Sequence, residues 1–153
     1  MLCLDQPSRA ARNNTRVIEW LPGPVYSFLT ARRENVIIAW LERERVSKEQ
    51  RAIFQQKVDT LERGGSTVCP GLIFGPIVKE IYKLKIKGNK GMVQLRPMIC
   101  RGPFGDKKAN STLLVGAIER GGHLDPAGAP WEAQLNRETL LSDWTRRRHD
   151  RLS

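Results

Sequence analysis

Charged and apolar residues alternate along residues 83–87, which read Lys-Leu-Lys-Ile-Lys. A period of two places successive side chains on opposite faces of a β-strand, so this segment predicts a strand with three lysines on one face. A turn-like sequence at residues 88–91 separates it from a second alternating run at residues 92–96. If the two strands pair, their apolar residues lie inside, and Gln94 and Arg96 join the lysines outside.

The period changes to that of a helix in the segment before these strands. Apolar positions 36, 37, 40 and 41 gather on one helical face, which predicts a helix over residues 32–45. Ser47 opens the capping-box sequence Ser-Lys-Glu-Gln, and helical spacing continues until Gly64 and Gly65, which are typical of a helix C-terminus. Two consecutive amphipathic helices with a short connection predict a helical hairpin.

The remaining segments complete the predicted fold. Strands are predicted at residues 24–30 and 112–118, with a weaker candidate at 17–21, and loops at 66–76 and 102–111. Residues 131–149 are predicted to form a helix with four apolar anchors: Leu135, Leu140, Leu141 and Trp144. This order predicts an α+β fold in which a helical hairpin packs on a small antiparallel or mixed β-sheet, with a C-terminal helix. We expect one domain over residues 24–153 behind a partly flexible N-terminal extension at residues 1–23.

The chain is strongly basic, and its charge is concentrated on the predicted strands. Its 153 residues include 26 Lys and Arg against 16 Asp and Glu, a net charge of +10. Residues 79–108 contain nine basic and two acidic side chains, so they carry +7 of that charge. This concentration favours a surface for a polyanion, with nucleic acid, an acidic protein or an anionic membrane as candidates. A solvated surface that keeps the protein soluble is the alternative.

Several other classes of protein lack support in the sequence. Cys3, Cys69 and Cys100 are odd in number and have no zinc-ligand spacing, which favours free thiols in a reducing cytoplasm. The pattern predicts neither a membrane span nor a signal peptide. Walker A, G-x-G-x-x-G, G-x-S-x-G and H-E-x-x-H sequences are absent. We therefore expect a cytoplasmic protein without membrane association.

Several segments resemble a known family of toxins. Residues 77–79, 91–96 and 113–120 resemble the second half of RelE/HigB-like toxins, especially their phage-derived HigB-like branch. The C-terminal pattern of Ala133, Arg137, Asp143 and residues 146–149 is similar to the end of some members. The resemblance spans residues 24–149. The chain departs from it by its N-terminal extension, by a polar insertion at residues 105–111, and by Glu-Arg at 119–120, where many members have Lys-Lys.

The resemblance implies a RelE-like fold and the toxin component of a type II toxin–antitoxin system. Such toxins are endoribonucleases that cleave messenger RNA, usually on the ribosome, and a cognate antitoxin protein neutralises them. They use no metal and no cofactor. The RNA 2′-hydroxyl attacks the adjacent phosphate, and basic residues of the sheet and of the C-terminus act on the RNA.

Metal-free RNA cleavage needs a proton acceptor, positive charge at the phosphate and an acid for the leaving oxygen. We predict that Arg96 clamps the phosphate, because an arginine fork can bind two phosphate oxygens. Arg120 and Arg101 are the candidates to share this role. His149 is the predicted general acid or base. The predicted RNA-binding residues are Lys79, Lys83, Lys85, Arg101, Arg146, Arg147 and Arg148.

Alternatives remain open for the base and for the function. Glu119, Glu80 or a clustered lysine with a lowered pKa could replace His149 as the base. Tyr82 could stack on a nucleobase, although core packing is the favoured interpretation. The second function is that of a non-catalytic, phage-encoded protein that binds nucleic acid or protein on the same scaffold. The third is a ParE-like action on gyrase.

Overall fold

The computed structural model describes residues 18–105 and 107–153. Within these residues the chain has an α+β fold, as predicted, with three helices and two β-sheets. The helices are α1 (Val36–Arg43), α2 (Lys48–Gly64) and α3 (Ala129–Ser142). The strands are β1 (Val25–Phe28), β2 (Ile73–Val78), β3 (Ile81–Leu84), β4 (Gln94–Leu95), β5 (Met98–Arg101), β6 (Ser111–Val115), β7 (Ile118–Arg120), β8 (His123–Asp125) and β9 (Arg147–Arg148).

The larger sheet has six strands in the order β2-β3-β5-β6-β1-β9. The pair β1–β6 is parallel and the other pairs are antiparallel, so the sheet is mixed. Strand β6 lies in the interior of this sheet and all five of its residues are buried, which confirms the central position predicted for its apolar run. A small antiparallel sheet, β4-β7-β8, joins the larger one where Ile86 pairs with Leu95.

Helices pack on both faces of the larger sheet. The hairpin of α1 and α2 buries Trp40 and Phe54 in a core with Leu84 and Leu113. On the other face, α3 contributes to a second core that contains Ile81, Met98 and Leu114. Because side chains alternate along a strand, neighbouring residues of β3 belong to different layers.

The helix boundaries follow the capping residues. Asn35 accepts hydrogen bonds from the backbone N–H groups of Ile37 and Ile38, so α1 begins at Val36 rather than at the predicted residue 32. Ser47 accepts one from the N–H of Gln50, as the predicted capping box requires. The side chain of Gln50 does not complete that box, because it donates to the carbonyl of Val93.

The bounds predicted for the loop before β2 and for the C-terminal helix are wrong. Strand β2 begins at Ile73, inside the predicted loop at residues 66–76. The predicted helix at residues 131–149 ends at Ser142, and Arg147 and Arg148 form an edge strand beside β1. The turn after α3 is stabilised by Asp143, which accepts hydrogen bonds from the N–H and hydroxyl groups of Thr145.

The buried face of α3 is smaller than predicted. Among the expected anchors only Leu140 is buried, whereas Leu135, Leu141 and Trp144 are 63%, 60% and 52% exposed. The buried positions belong instead to Ala129, Pro130 and Ala133. Small side chains allow a helix to approach a sheet closely, so α3 packs through these residues and Leu140 and leaves Leu135 and Leu141 exposed.

Residues 18–23, the described part of the predicted N-terminal extension, pack against the rest of the domain through Trp20. Trp20 is buried, and its indole N–H donates to the hydroxyl of Ser111 at 2.8 Å. Residues 18–21 do not form the weaker predicted strand. Residues 1–17, which include the rest of that extension, lie outside the described residues.

The cysteines differ from one another. Cys100 is free and buried, as predicted for a free thiol, and burial raises its pKa to about 12. Cys69 is disulfide-bonded, so the prediction of a free thiol is wrong there. Cys3 lies outside the described residues. Within the part of the chain that the structure describes, no helix has both the length and the apolar character needed to cross a membrane.

Candidate functional site

Three cations and one carboxylate meet where β3 ends. The ammonium nitrogen of Lys83 lies 3.9 Å from Oε1 of Glu119, and Nη2 of Arg96 lies 3.4 Å from Oε2 of the same carboxylate. The amines of Lys83 and Lys85 both lie over the ring of Phe74, at 5.0 and 4.4 Å from its centre. These five residues are called the Lys83 cluster below.

Both sheets contribute to the Lys83 cluster. Lys83 on β3 pairs with Phe74 on β2, so their side chains lie on one face of the larger sheet. Glu119 comes from β7 of the smaller sheet. Arg96 follows β4, and its backbone N–H donates to the carbonyl of Ala117. The pairing of Ile86 with Leu95, which links the two sheets, therefore brings these distant segments of the chain together.

Arg96 is the most buried cation of the cluster, with 6% of its surface exposed. This differs from the prediction that it lies outside with the lysines. Its Nη1 donates to the carbonyl of Leu95 at 2.9 Å, while its buried Nε finds no hydrogen-bond partner among the described residues. The 3.4 Å contact with Glu119 is longer than the usual 2.7–2.9 Å of a charged hydrogen bond. The guanidinium is therefore positioned by the fold but incompletely paired.

The pKa of Lys83 lies below its ordinary value. Burial lowers this pKa because it disfavours the charged amine. The negative charge of Glu119 acts in the opposite direction, and the positive charges of Lys85 and Arg96 lower the pKa further. A lysine with a lowered pKa can exchange a proton closer to neutral pH than an ordinary lysine can.

The Lys83 cluster combines an excess of positive charge with groups that can exchange protons. Lys83, Lys85 and Arg96 together outnumber the single carboxylate of Glu119. An arriving phosphate would meet the two amines, and the largely buried guanidinium of Arg96 lies next to them through the shared carboxylate of Glu119. Such a group of cations can bind a phosphoryl oxygen. Glu119 and the neutral form of Lys83 are the proton acceptors beside it.

Other residues predicted to bind RNA lie apart from this cluster. Lys79 is exposed in the turn before β3, at the opposite end of that strand from Lys85. Arg101 lies with Trp20 and Tyr82, and its guanidinium is 5.0 Å from each ring centre. It also donates to the carbonyl of Glu19 and the hydroxyl of Tyr82. Tyr82 is buried, so the favoured interpretation of core packing is confirmed.

Arg120 points away from the Lys83 cluster. It follows Glu119 on β7, so its side chain lies on the opposite face of that strand. Its guanidinium lies 3.8 Å from the carboxylate of Glu44 and 3.3 Å from that of Asp125. The structure therefore does not bring Arg120 together with Arg96.

Four basic residues near the C-terminus form a second group, called the C-terminal cluster: Arg146, Arg147, Arg148 and His149. It lies on or beside β9, which is four strand intervals from β3, or about 19 Å at the usual strand spacing. His149 is paired there, since its Nε2 lies 2.9 Å from Oε2 of Glu62. The structure thus places His149 four strand intervals from the strand of Lys83, which contacts the same carboxylate as Arg96.

The arginines of the C-terminal cluster form hydrogen bonds or ion pairs with other residues of the chain. Arg146 donates to the carbonyl of Leu29 at 3.0 Å. Arg147 donates to Oδ1 of Asn110 and to the carbonyl of Phe104, and its guanidinium lies 4.3 Å from the centre of the Tyr26 ring. Arg148 lies 2.8 Å from a carboxylate oxygen of Asp150. These contacts are typical of residues that hold an edge strand in place.

Sequence reasoning missed Phe74, because it assigned residues 66–76 to a loop. The signal was present in the short apolar run at residues 72–74, which precedes the breakers Gly75 and Pro76. The sequence predicts Glu119 only as an alternative base. Its position between Lys83 and Arg96 depends on contacts between sheets, which no local pattern shows.

The described residues contain no group of three or more His, Cys, Asp and Glu side chains arranged to hold a metal ion. Comparison with known proteins finds no matching family model, no matching curated protein and no matching solved structure. The Lys83 cluster and the resemblance of short segments are therefore the grounds on which a function can be argued.

Proposed function

We propose that this chain is a metal-free endoribonuclease with a RelE-like fold, the toxin component of a type II toxin–antitoxin system that cleaves messenger RNA on the ribosome. The Lys83 cluster is the observation that carries the proposal. Two of the family-like segments, residues 91–96 and 113–120, meet there through Arg96 and Glu119. A cognate antitoxin that covers this basic surface is part of the same proposal. So is a cytoplasmic location, which follows from cleavage on the ribosome and not from the cysteines, because Cys69 is disulfide-bonded.

The cluster supplies the groups that this chemistry needs. Arg96 binds the phosphate and neutralises the charge that develops on its oxygens. The neutral amine of Lys83 takes the proton of the RNA 2′-hydroxyl, and the 2′-oxygen then bonds to phosphorus. The bond to the 5′-oxygen breaks, and the ammonium of Lys85 gives that oxygen a proton. The products are a 2′,3′-cyclic phosphate and a 5′-hydroxyl.

Cleavage on translating ribosomes tests the proposal. The purified protein is added to a translation reaction, and new 5′ ends of the message are mapped. We expect cleavage by the original protein and by Arg148→Ala, a matched control in the C-terminal cluster, but not by Arg96→Ala. Message that stays intact with the original protein would contradict the proposal, as would growth arrest that Arg96→Ala leaves unchanged.

The second candidate is a non-catalytic protein that binds nucleic acid through the same surface. It is favoured by one observation, the separation of His149 and Arg120 from Arg96, which leaves the proton transfers to lysines and Glu119. Tight, salt-sensitive RNA binding without cleavage would support this candidate over the first.

A further inference from the structure

We propose that the ring of Phe74 is a stacking platform for a nucleobase of single-stranded RNA, beside the phosphate-binding groups of the Lys83 cluster. The inference deepens the proposed function and rests on it for the identity of the ligand as RNA. It assigns a base-binding subsite to a residue on an edge strand.

The position of Phe74 on β2 presents its ring to solvent. Strand β2 is an outer strand of the six-stranded sheet, and 47% of Phe74 is exposed. The register between β2 and β3 shifts between Phe74 and Val78, and Gly75 in this interval has a φ of +142°, which favours glycine. Irregular pairing of this kind changes the direction of nearby side chains and is common beside functional sites.

The surroundings of Phe74 favour a nucleotide over an apolar ligand. Its ring lies within 5.0 Å of the amines of Lys83 and Lys85, so it is an exposed aromatic surface set among cations. Single-stranded nucleic acids are bound by this combination, in which a base stacks on an aromatic ring and amines contact the backbone phosphates. The cation–π contacts stabilise the lysines, and 47% of Phe74 remains exposed beside them.

The subsite also fits the chemistry of the cluster. Phe74 and Lys83 are cross-strand partners, and Lys83 in turn contacts Glu119, which contacts Arg96. A base stacked on Phe74 would hold its own sugar and phosphate near these groups. Stacking would therefore orient the RNA, while the cations supply most of the affinity.

Binding of uncleavable oligonucleotides tests the inference. The ligands are a 2′-O-methyl RNA hexamer and an abasic hexamer with the same sugars and charge, so a difference in affinity reports contacts with bases. We expect the original protein to prefer the base-containing hexamer. Phe74→Leu should reduce that preference by about five- to a hundredfold, the range typical of losing one stacked base. Phe74→Tyr should retain the preference, and so should the control Trp131→Leu, which changes an exposed aromatic on α3.

The outcomes separate this inference from the proposed function. If the original protein shows no preference for bases, or if folded Phe74→Leu retains it, the inference is wrong even when message is cleaved. If the preference is lost in Phe74→Leu but the original protein cleaves no message, the stacking subsite stands and the nuclease proposal fails. Should Phe74→Leu not fold in a thermal melt, Phe74→Thr, which suits an edge strand, is used for the same comparison.

Discussion

The Lys83 cluster and the C-terminal cluster lie towards opposite edges of the six-stranded sheet and differ in what surrounds their charges. In the C-terminal cluster each basic residue contacts a carbonyl, an amide or a carboxylate of the fold, as Arg147 does with Asn110 and Phe104. In the Lys83 cluster, Lys83 and Arg96 share one carboxylate. The positive charges of the C-terminal cluster therefore stabilise the fold, whereas those of the Lys83 cluster are only partly neutralised and can bind an anion.

The largest expected effect separates the two regions by catalysis. We expect Arg96→Ala to reduce the rate of message cleavage by about 10²- to 10³-fold, the loss typical of removing one group that stabilises a developing oxyanion. Arg148→Ala should cleave at the original rate, because Arg148 pairs with Asp150 at the distant edge. Single-turnover rates measure both variants. If Arg96→Ala and Arg148→Ala lose the same fraction of the cleavage rate, the catalytic difference between the two clusters is wrong.

The second prediction separates the regions by stability. Arg147→Ala leaves Oδ1 of Asn110 and the carbonyl of Phe104 without this donor, so it should lower the free energy of unfolding by about 1–3 kcal/mol. Cleavage per folded molecule should not change. Urea denaturation measures the loss, and the exposed control Trp131→Ser should stay within about 0.5 kcal/mol of the original. An Arg147→Ala protein of unchanged stability would show that these bonds contribute little.

The third prediction uses pH, since the two regions should respond at opposite ends of the scale. The pKa of Lys83 is lowered, so the cleavage rate should rise with pH through a value below that of an ordinary lysine. The folded protein releases this proton before the unfolded chain does, so stability should also rise with pH between those two values. Lys83→Arg stays protonated and should lose the alkaline rise in rate. A rise that persists in this variant would exclude Lys83 as the base.

At acid pH Asp150, the carboxylate that pairs with Arg148 of the C-terminal cluster, should respond instead. Burial alone would raise the pKa of Asp150, but hydrogen bonds from Asn35 and Arg148 outweigh it and hold this pKa below its ordinary value. Its contribution to stability is present above the ordinary pKa of an aspartate and is lost as pH falls through the lowered value. Asp150→Asn should weaken that acid-dependent loss in thermal melts and leave the alkaline behaviour of Lys83 unchanged.

The smallest expected effect is on the salt dependence of RNA binding. If the amine of Lys85 contacts a phosphate, Lys85→Gln should reduce the slope of log affinity against log salt by about 0.7, the value for one phosphate contact on a single strand. Arg148→Gln should leave the slope unchanged because Asp150 already neutralises that charge. Filter-binding assays at several salt concentrations measure these slopes. If Lys85→Gln and the original protein have equal slopes, Lys85 does not contact an RNA phosphate.

Local sequence patterns are sufficient to predict the helices and strands that form the core. Alternation along residues 83–87 placed Leu84 and Ile86 inside, and both are fully buried. Helical spacing and the Ser47 cap located the hairpin, because these signals act within a few residues of one another. The apolar run at residues 112–118 found the central strand but not its division at Gly116, where the Trp40 ring leaves no room for a side chain.

The candidate site was only partly predictable. Arg96 and Lys83 were identified from alternation, but the burial of Arg96 and the role of Glu119 follow from the contact between the two sheets. Residues 146–149 resemble a continuous basic helix end in the sequence, yet β1 offers an open edge and draws Arg147 and Arg148 into a strand. Long-range pairing overrides local propensity there.

The amino-acid sequence by itself determined that this chain forms an α+β domain with a hydrophobic hairpin and a concentrated positive charge, because periodicity and composition are local properties. Only the tertiary structure decided which positive charges are neutralised. Arg147 finds fixed acceptors from distant loops, whereas Lys83 and Arg96 share one carboxylate, and the amines of Lys83 and Lys85 lie over the partly exposed ring of Phe74. Pairing depends on distances of a few ångströms between residues far apart in the chain, and these distances are set by the packing of the sheets.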